Sequence, residues 1–306
     1  MPQFVMMVGV AGSGKSTIAA QIAESTNAKI VSSDAIRGEV YGDENCQTDP
    51  AKIFEIVHNR VHQYLKNGEN VIMDATNLSC KRRMAFLKTL AHIDCEKVCV
   101  VVVATPEDIW DRMQYRDRKV PKEVIHRQIT QFQCPNYYEG WDVIDIEWTS
   151  DSEDCFKSFR TLWRECDMPH DNSHHRLDIE DHMIKASIYA AAARHGDSVI
   201  NSWIARIHDI GKPRVKSFID RNGKTTAEAH YYGHQNYSAY YALIDAGYEM
   251  YSHRTKEQVL DDACLIQWHM EHFFRKGEAL TKFHEMIGPA LTARLQILEE
   301  ADMKAH

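Results

Sequence analysis

The run RIHDIGKP, residues 206–213, sets His208 beside Asp209 and follows the pair with a glycine and Lys212. An adjacent His-Asp pair at a helix end can give two ligands to one metal ion or bridge two ions. Whether it does so depends on other ligands facing the same interior. Asp302 supplies one such case, because Leu291, Leu295 and Leu298 precede it by 11, 7 and 4 residues and share its helix face. A carboxylate on an apolar face costs several kcal/mol unless it is paired or coordinated. His269 repeats the pattern with Leu265, Ile266 and Phe273, and His182 with Ile179, Ala186 and Tyr189. One such histidine is ordinarily a hydrogen-bonded core residue. Three polar groups on three apolar faces, together with the doublet, point instead to a shared interior metal centre. His234, after Gly233, is a further candidate ligand or a helix cap. Histidine and carboxylate without cysteine suit Mn, Fe, Co, Ni or Zn with an open water position, the chemistry of phosphoester hydrolysis.

A second constellation opens the chain. Gly9-Val10-Ala11-Gly12-Ser13-Gly14-Lys15-Ser16, followed by Thr17, fits GxxxxGK[ST] after an apolar strand and before a helix. Its backbone amides and helix N-terminus would cradle phosphates, with Lys15 on the β/γ-phosphates of ATP and Ser16 on Mg²⁺. Asp34, in SSDAIR, is placed either to take a proton from an acceptor hydroxyl or to cap a helix, and Arg37 one turn later could hold an acceptor phosphate. Asp74, in VIMDATN, would support Mg²⁺ through water or fix its loop. Arg112, Arg116 and Arg118 precede VPKEVI, as a lid over the nucleotide or a solvated charged face.

The elements that must hold these residues divide in two. Up to about residue 150, apolar strand-like runs such as FVMMV and KVCVVVVAT alternate with helical segments, which predicts an α/β domain with a parallel sheet covered on both faces. Residues 151–174 read as a helix and a proline-bearing connector, and residues 175–306 as an all-α domain apart from the FIDRNGKTTAEAHYYG region. The 17 histidines concentrate in this second half. A length of 306 residues fits two domains, and 44% hydrophobic residues suffice for two cores. No apolar run approaches the ~20 residues of a bilayer span, and the opening strand lacks the flanks of a leader, so a cytoplasmic protein is expected. The eight cysteines form no CxxC pair and read as free thiols. A net charge of −8 argues against nonspecific coating of duplexes but leaves room for a local basic groove that binds one end.

GVAGSGKST, SSDAIR, DATN and the R-x-x-x-R before VP resemble the 5′-kinase domain of phage and bacterial polynucleotide kinases over about residues 1–150. The resemblance implies Lys15 and Ser16 on ATP and Mg²⁺, Asp34 as general base for a 5′-hydroxyl, Arg37 on a substrate phosphate, and Arg116 as the lid arginine. His182, His208-Asp209, His234, His269 and Asp302 resemble the ligand run of the HD phosphohydrolase superfamily over about residues 175–306. Its dinuclear members imply one metal among His182, His208, Asp209 and Asp302 and another among Asp209, His234 and His269. Lys212 would then contact substrate phosphate, or else be a solvated loop lysine. His174, His175, Arg176 and His230 line the phosphate pocket or lie on the surface. Together the halves resemble bacterial end-healing enzymes, here with the kinase first. Those act on single-stranded or nicked RNA or DNA ends, phosphorylating 5′-hydroxyls and hydrolysing 2′,3′-cyclic or 2′-phosphates, with a separate RNA ligase as partner. The alternatives are a small-molecule kinase joined to an HD nucleotidase and an ATP-switched nucleic-acid-binding regulator.

Overall fold

The computed structural model describes residues 1–115, 119–173, 176–193, 198–248 and 254–306, which separate into two compact units. The first comprises Met1–Gln128 and Pro135–Ser150. Its elements are β1 (Gln3–Val8), α1 (Lys15–Thr26), β2 (Lys29–Ser32), α2 (Ser33–Tyr41), α3 (Pro50–Lys66), β3 (Val71–Asp74), α4 (Cys80–Thr89), β4 (Glu96–Val103), α5 (Pro106–Gln114), α6 (Lys122–Thr130) and β5 (Val143–Trp148). All strand pairings are parallel, in the order β2-β3-β1-β4-β5. The apolar runs of β1, β3 and β4 are buried almost throughout because helices cover both faces. On one face Val5, Met7, Ile72, Val98, Val100 and Val102 pack against Ala19, Ile18 and Ile22 of α1. On the other, Phe4 lies 5.4 Å from Phe86 and stacks on Trp141 at 6.5 Å.

That second face also buries an ion pair. Arg83 of α4 donates Nε and Nη2 to the two oxygens of Glu139 at 2.7 and 2.6 Å, and Nη1 to the Asn77 carbonyl at 3.0 Å. Trp141 Nε1 also donates to Glu139, at 3.1 Å. Both charged side chains are 1% exposed or less, so either alone would be an uncompensated buried charge. Glu139→Ala is expected to destabilise the unit by about 3–5 kcal/mol. A urea midpoint unchanged from wild type would contradict this.

The second unit comprises Ile129–Cys134 and Asp151–His306. It contains α7 (Ser152–Glu165), α8 (Ile179–Ala191), α9 (Ser198–Ile207), α10 (Lys212–Val215), β6 (Ser217–Ile219), β7 (Thr225–His230), α11 (His234–Tyr248), α12 (Lys256–Trp268), α13 (Glu271–Phe274), α14 (Glu278–Ile287) and α15 (Pro289–Ala305). The region set apart from the helical pattern forms the β6-β7 antiparallel hairpin, where the Asp220–Gly223 turn joins two strands that pair with each other alone among the described residues. The short segment 129–134 joins this unit through its backbone. Gln267 donates to the Phe132 carbonyl at 2.8 Å and accepts from Cys134 N–H at 3.1 Å. Among the described residues, no helix is long and apolar enough to cross a membrane.

Candidate functional sites

The glycine loop lies between β1 and α1. Gly12 adopts φ +83°, and a Cβ there would come within 2.5 Å of Met113 Cε and 2.9 Å of Ile109 Cγ2, so glycine is needed on both counts. Gly14 is the N-cap of α1 with no side-chain cap hydrogen bond, and the Thr17 and Ile18 N–H groups donate to its carbonyl at 3.0 and 3.1 Å, so the helix N-terminus opens directly from the glycine loop. Lys15 folds back and donates to the Val10 carbonyl at 2.7 Å. Ser16 Oγ donates to Asp74 Oδ2 at 2.8 Å, so the two oxygen-bearing groups read as Mg²⁺ supports meet at the end of β3. Ser13 is buried, Gly9 N–H donates to the Thr76 carbonyl at 3.0 Å, and Thr17 lies in the first turn of α1.

Asp34 falls in the first turn of α2. The N-cap is Ser32, whose hydroxyl accepts from Ala35 N–H, so the capping alternative for Asp34 does not hold. Its carboxylate pairs at 2.5 Å with Arg37 Nη1; the aspartate side chain is 44% exposed and the arginine 9%. The sheet edge thus offers a carboxylate to solvent with a guanidinium behind it. Arg112 does not stand free as a lid residue: it donates to Thr149 Oγ1 at 2.9 Å and to the Thr149 carbonyl at 2.5 Å. Thr149 Oγ1 in turn donates to the Ser13 carbonyl at 2.7 Å, linking α5 to the phosphate loop. Arg116 and Arg118 lie outside the described residues.

In the second unit the separated histidines and aspartates meet. His182 comes from α8, His208 and Asp209 from the turn after α9, His234 from the start of α11, His269 from the end of α12, and Asp302 from α15. All six are at most 5% exposed. Two groups can each hold a metal ion: His182, His208, Asp209 and Asp302, and Asp209, His234 and His269. Asp209 belongs to both.

The hydrogen bonds behind the rings decide what the cluster can bind. His208, His234 and His269 each direct Nδ1 at a backbone carbonyl three residues earlier, at 2.7, 2.8 and 2.6 Å. With Nδ1 as donor, Nε2 of a neutral ring carries a lone pair, and all three Nε2 atoms face inward. His234 Nε2 and His269 Nε2 stand 3.3 Å apart. Two lone pairs at that distance repel unless a proton or a cation lies between them. His208 Nε2 approaches carboxylate oxygens of Asp209 and Asp302 at 3.3 and 3.4 Å, yet it and Asp209 Oδ1 are buried without a directed hydrogen bond. Converging imidazole lone pairs around two carboxylates make a donor set that fits divalent transition cations.

The charge states agree with that arrangement. Burial alone would lower the His208 pKa, but the carboxylates of Asp209 and Asp302 outweigh it and raise it to about 10. Burial would raise Asp209, but Lys212 and His208 hold it well below the usual carboxylate range. Burial, reinforced by charged His208, presses His269 down to about 3. In the absence of a cation, then, a proton on His208 takes the place of positive charge between two carboxylates.

Lys212 is buried rather than solvated. At 5% exposure, its Nζ lies 2.6 Å from Asp209 Oδ2. Gly211 is what allows the turn to sit so close: an added Cβ would fall 2.7 Å from the His234 carbonyl oxygen and 2.8 Å from Ser238 N. Gly211→Ala is expected to push the His-Asp turn away from α11, costing about 1–3 kcal/mol of stability. It should also weaken Mn²⁺ binding measured by calorimetry; unchanged affinity would show that the contact does not set the cluster.

Other expectations fare differently. His230 lies at the end of β7, where it meets Thr226 Oγ1 at 3.1 Å and stacks on Tyr232 at 5.3 Å. Arg176 is exposed ahead of α8, while His174 and His175 lie outside the described residues. Tyr189 and Phe273, expected on the apolar faces of His182 and His269, are 40% and 48% exposed. Phe273 turns outward because α12 stops at Trp268 and its 3.6-residue period does not continue. Two residues near the cluster carried no sequence signal. His306 approaches Asp302 at 3.4 Å, and His170 approaches Lys212 at 3.2 Å.

Residues 4–135 match a family model described as AAA domain, which is under half of the chain. No curated protein matches the sequence. Solved structures similar in part include a gluconokinase from Sinorhizobium meliloti 1021, 19% identical, TM-score 0.36, over 48% of this chain and 82% of that one. A shikimate kinase from Bacteroides thetaiotaomicron is 16% identical, TM-score 0.34, over 53% and 97%. A chain of the Pnkp1/Rnl/Hen1 RNA repair complex is 29% identical, TM-score 0.36, over 42% of this chain and 43%, less than half, of that one. Residues 4–135 thus match an AAA-domain model and carry a phosphate loop in a parallel sheet flanked by helices, followed in the chain by a helical region with a buried cluster that could hold metal.

Proposed function

We propose that the chain is a bifunctional nucleic-acid end-healing enzyme. Its P-loop unit phosphorylates 5′-hydroxyl ends with ATP, and its helical unit, read as an HD phosphohydrolase, hydrolyses 2′,3′-cyclic or 2′-phosphate ends. The observation that carries the reading is the convergence of four imidazoles and two carboxylates in two buried groups that share Asp209, in a chain that also bears a complete phosphate loop. A 5′-kinase and an end phosphohydrolase together convert the termini left by RNA breakage into those a separate ligase joins.

In the first unit, the amides of Gly12, Ser13 and Gly14 and the Lys15 ammonium hold the nucleotide phosphates, while Ser16 and Asp74 support Mg²⁺. Lys15 exchanges the Val10 carbonyl for phosphate oxygens. Asp34 accepts the proton of the 5′-hydroxyl as its oxygen bonds to the γ-phosphorus and ADP departs; Arg37 turns from Asp34 to an acceptor phosphate. Arg116 stays assigned to the lid by motif. In the second unit, His182, His208, Asp209, His234, His269 and Asp302 hold one or two divalent cations from among Mn, Fe, Co, Ni and Zn. When bound, these acidify water and polarise a phosphoryl oxygen. Lys212 faces the phosphate or the departing ester oxygen. Arg176, His175 and His230 are its candidate outer contacts.

The test is a pair of oligonucleotide assays on the full chain. Label from [γ-³²P]ATP should pass to a 5′-hydroxyl RNA or DNA, and a 2′,3′-cyclic phosphate end should open with Mn²⁺, Co²⁺ or Ni²⁺. The net charge of −8 favours a second reading, a small-molecule kinase joined to an HD nucleotidase. Competition by single-stranded RNA that weakens steeply with salt supports end healing, because extended backbone contacts release counterions. Phosphorylation of nucleosides or sugars with no such competition supports the alternative.

A further inference from the structure

His170 belongs to the polar connector between α7 and α8, away from every motif, and yet it is 2% exposed. Its ring and its backbone are both held. Its Nδ1 meets the Leu177 carbonyl at 2.7 Å, and the Tyr231 hydroxyl donates to its own carbonyl. A ring that donates from Nδ1 keeps a lone pair on Nε2, and that atom lies 3.2 Å from Lys212 Nζ. The ammonium therefore has an imidazole acceptor on one side and Asp209 Oδ2, at 2.6 Å, on the other. It also lies 5.4 Å from the centre of the Tyr231 ring, whose hydroxyl anchors His170.

We propose that His170 is a positioning residue, which holds the Lys212 ammonium beside the metal cluster so that it meets the substrate phosphate. The proposal rests on the phosphohydrolase reading. Asp209 is the one carboxylate shared by both candidate metal groups. Cations there compete for its oxygens and repel a nearby ammonium, weakening the Lys212–Asp209 pair in the working enzyme. The neutral imidazole is not a cation ligand in that set and keeps its grip. With a carbonyl facing Nδ1 and an ammonium facing Nε2, the ring is held neutral and its Nε2 stays an acceptor. The competing role is purely architectural, with His170 serving only to satisfy the Leu177 carbonyl and fasten the connector.

Two variants separate the roles, because asparagine can reproduce the Nδ1 donor and glutamine the Nε2 acceptor. With a 2′,3′-cyclic phosphate oligonucleotide and Mn²⁺, His170→Asn is expected to lower kcat by about 10–100-fold while Mn²⁺ affinity by calorimetry stays near wild type. His170→Gln should recover most of the rate. In a Lys212→Ala background, His170→Asn should add no further loss, since a residue acting through another has nothing left to act on. A wild-type rate in His170→Asn, a loss that multiplies with that of Lys212→Ala, or a worse His170→Gln would each overturn the proposal. Should the wild type open no phosphate ester with any metal, the phosphohydrolase reading fails, and ¹⁵N spectra of the lysine ammonium groups in metal-free protein decide the pairing alone. A protected Lys212 signal in wild type and His170→Gln that vanishes in His170→Asn supports it; a signal indifferent to residue 170 overturns it.

Discussion

Asp209→Asn is expected to abolish Mn²⁺ binding and phosphate-ester hydrolysis, with a rate loss of at least about 10³-fold, while ATP-dependent phosphorylation continues at the wild-type rate. The size of the effect follows from how many groups share this carboxylate. Its Oδ2 faces His208 at 3.3 Å, His182 at 3.6 Å and Lys212 at 2.6 Å. Its Oδ1 faces His234 at 3.2 Å and His269 at 3.7 Å. Both candidate metal groups lose a member at once. Asparagine keeps the shape and an oxygen acceptor but removes the charge that Lys212 and His208 face in a buried site, at a cost of about 3–5 kcal/mol, whereas Asp209→Ala would also remove the acceptor and leave a cavity. Calorimetric titration with Mn²⁺ alongside both activity assays checks the prediction. Retained metal affinity and hydrolysis in a folded Asp209→Asn protein would place the chemistry elsewhere.

The complementary result is expected from the first unit. Lys15→Ala should eliminate detectable transfer from ATP, and Asp34→Ala should reduce it by about 10²–10⁴-fold, the span of a lost general base. Neither should alter hydrolysis. The two variants should differ in what they do to binding. Lys15→Ala removes the cation nearest the β/γ-phosphates and should weaken ATP affinity, read by fluorescent-nucleotide titration. Asp34→Ala leaves the phosphate loop intact and releases Arg37 from its 2.5 Å partner, so ATP affinity should hold while turnover falls. If each substitution in either unit silenced both reactions with folding intact, two independent centres could not be maintained.

The phosphate loop was legible because its chemistry is local. Eight consecutive residues, a strand before and a helix after, suffice to present amides and Lys15, and nothing distant need be known. The parallel sheet was legible for a similar reason, since strands buried on both faces must be written as unbroken apolar runs. The cluster was legible only one ligand at a time. Helical periodicity shows that Asp302 shares a face with Leu295 and Leu298, and so must be buried and compensated. It does not show that α8, α11, α12 and α15 turn those faces toward one another.

What stayed hidden depended on contacts far apart in the chain. Lys212 reads equally as a loop lysine until the Gly211–α11 approach buries it. His170 lies in a connector with no period, and its meaning comes from Leu177, Tyr231 and a lysine 42 residues away. The 129–134 segment joins the second unit through Gln267, a contact that leaves no trace in local composition. Residue type and periodicity thus specify which groups must be buried and what each would demand there, because those are properties of single elements. The identity of the partner that answers each demand is a matter of packing between elements, which decides whether a buried acceptor meets a donor or another lone pair.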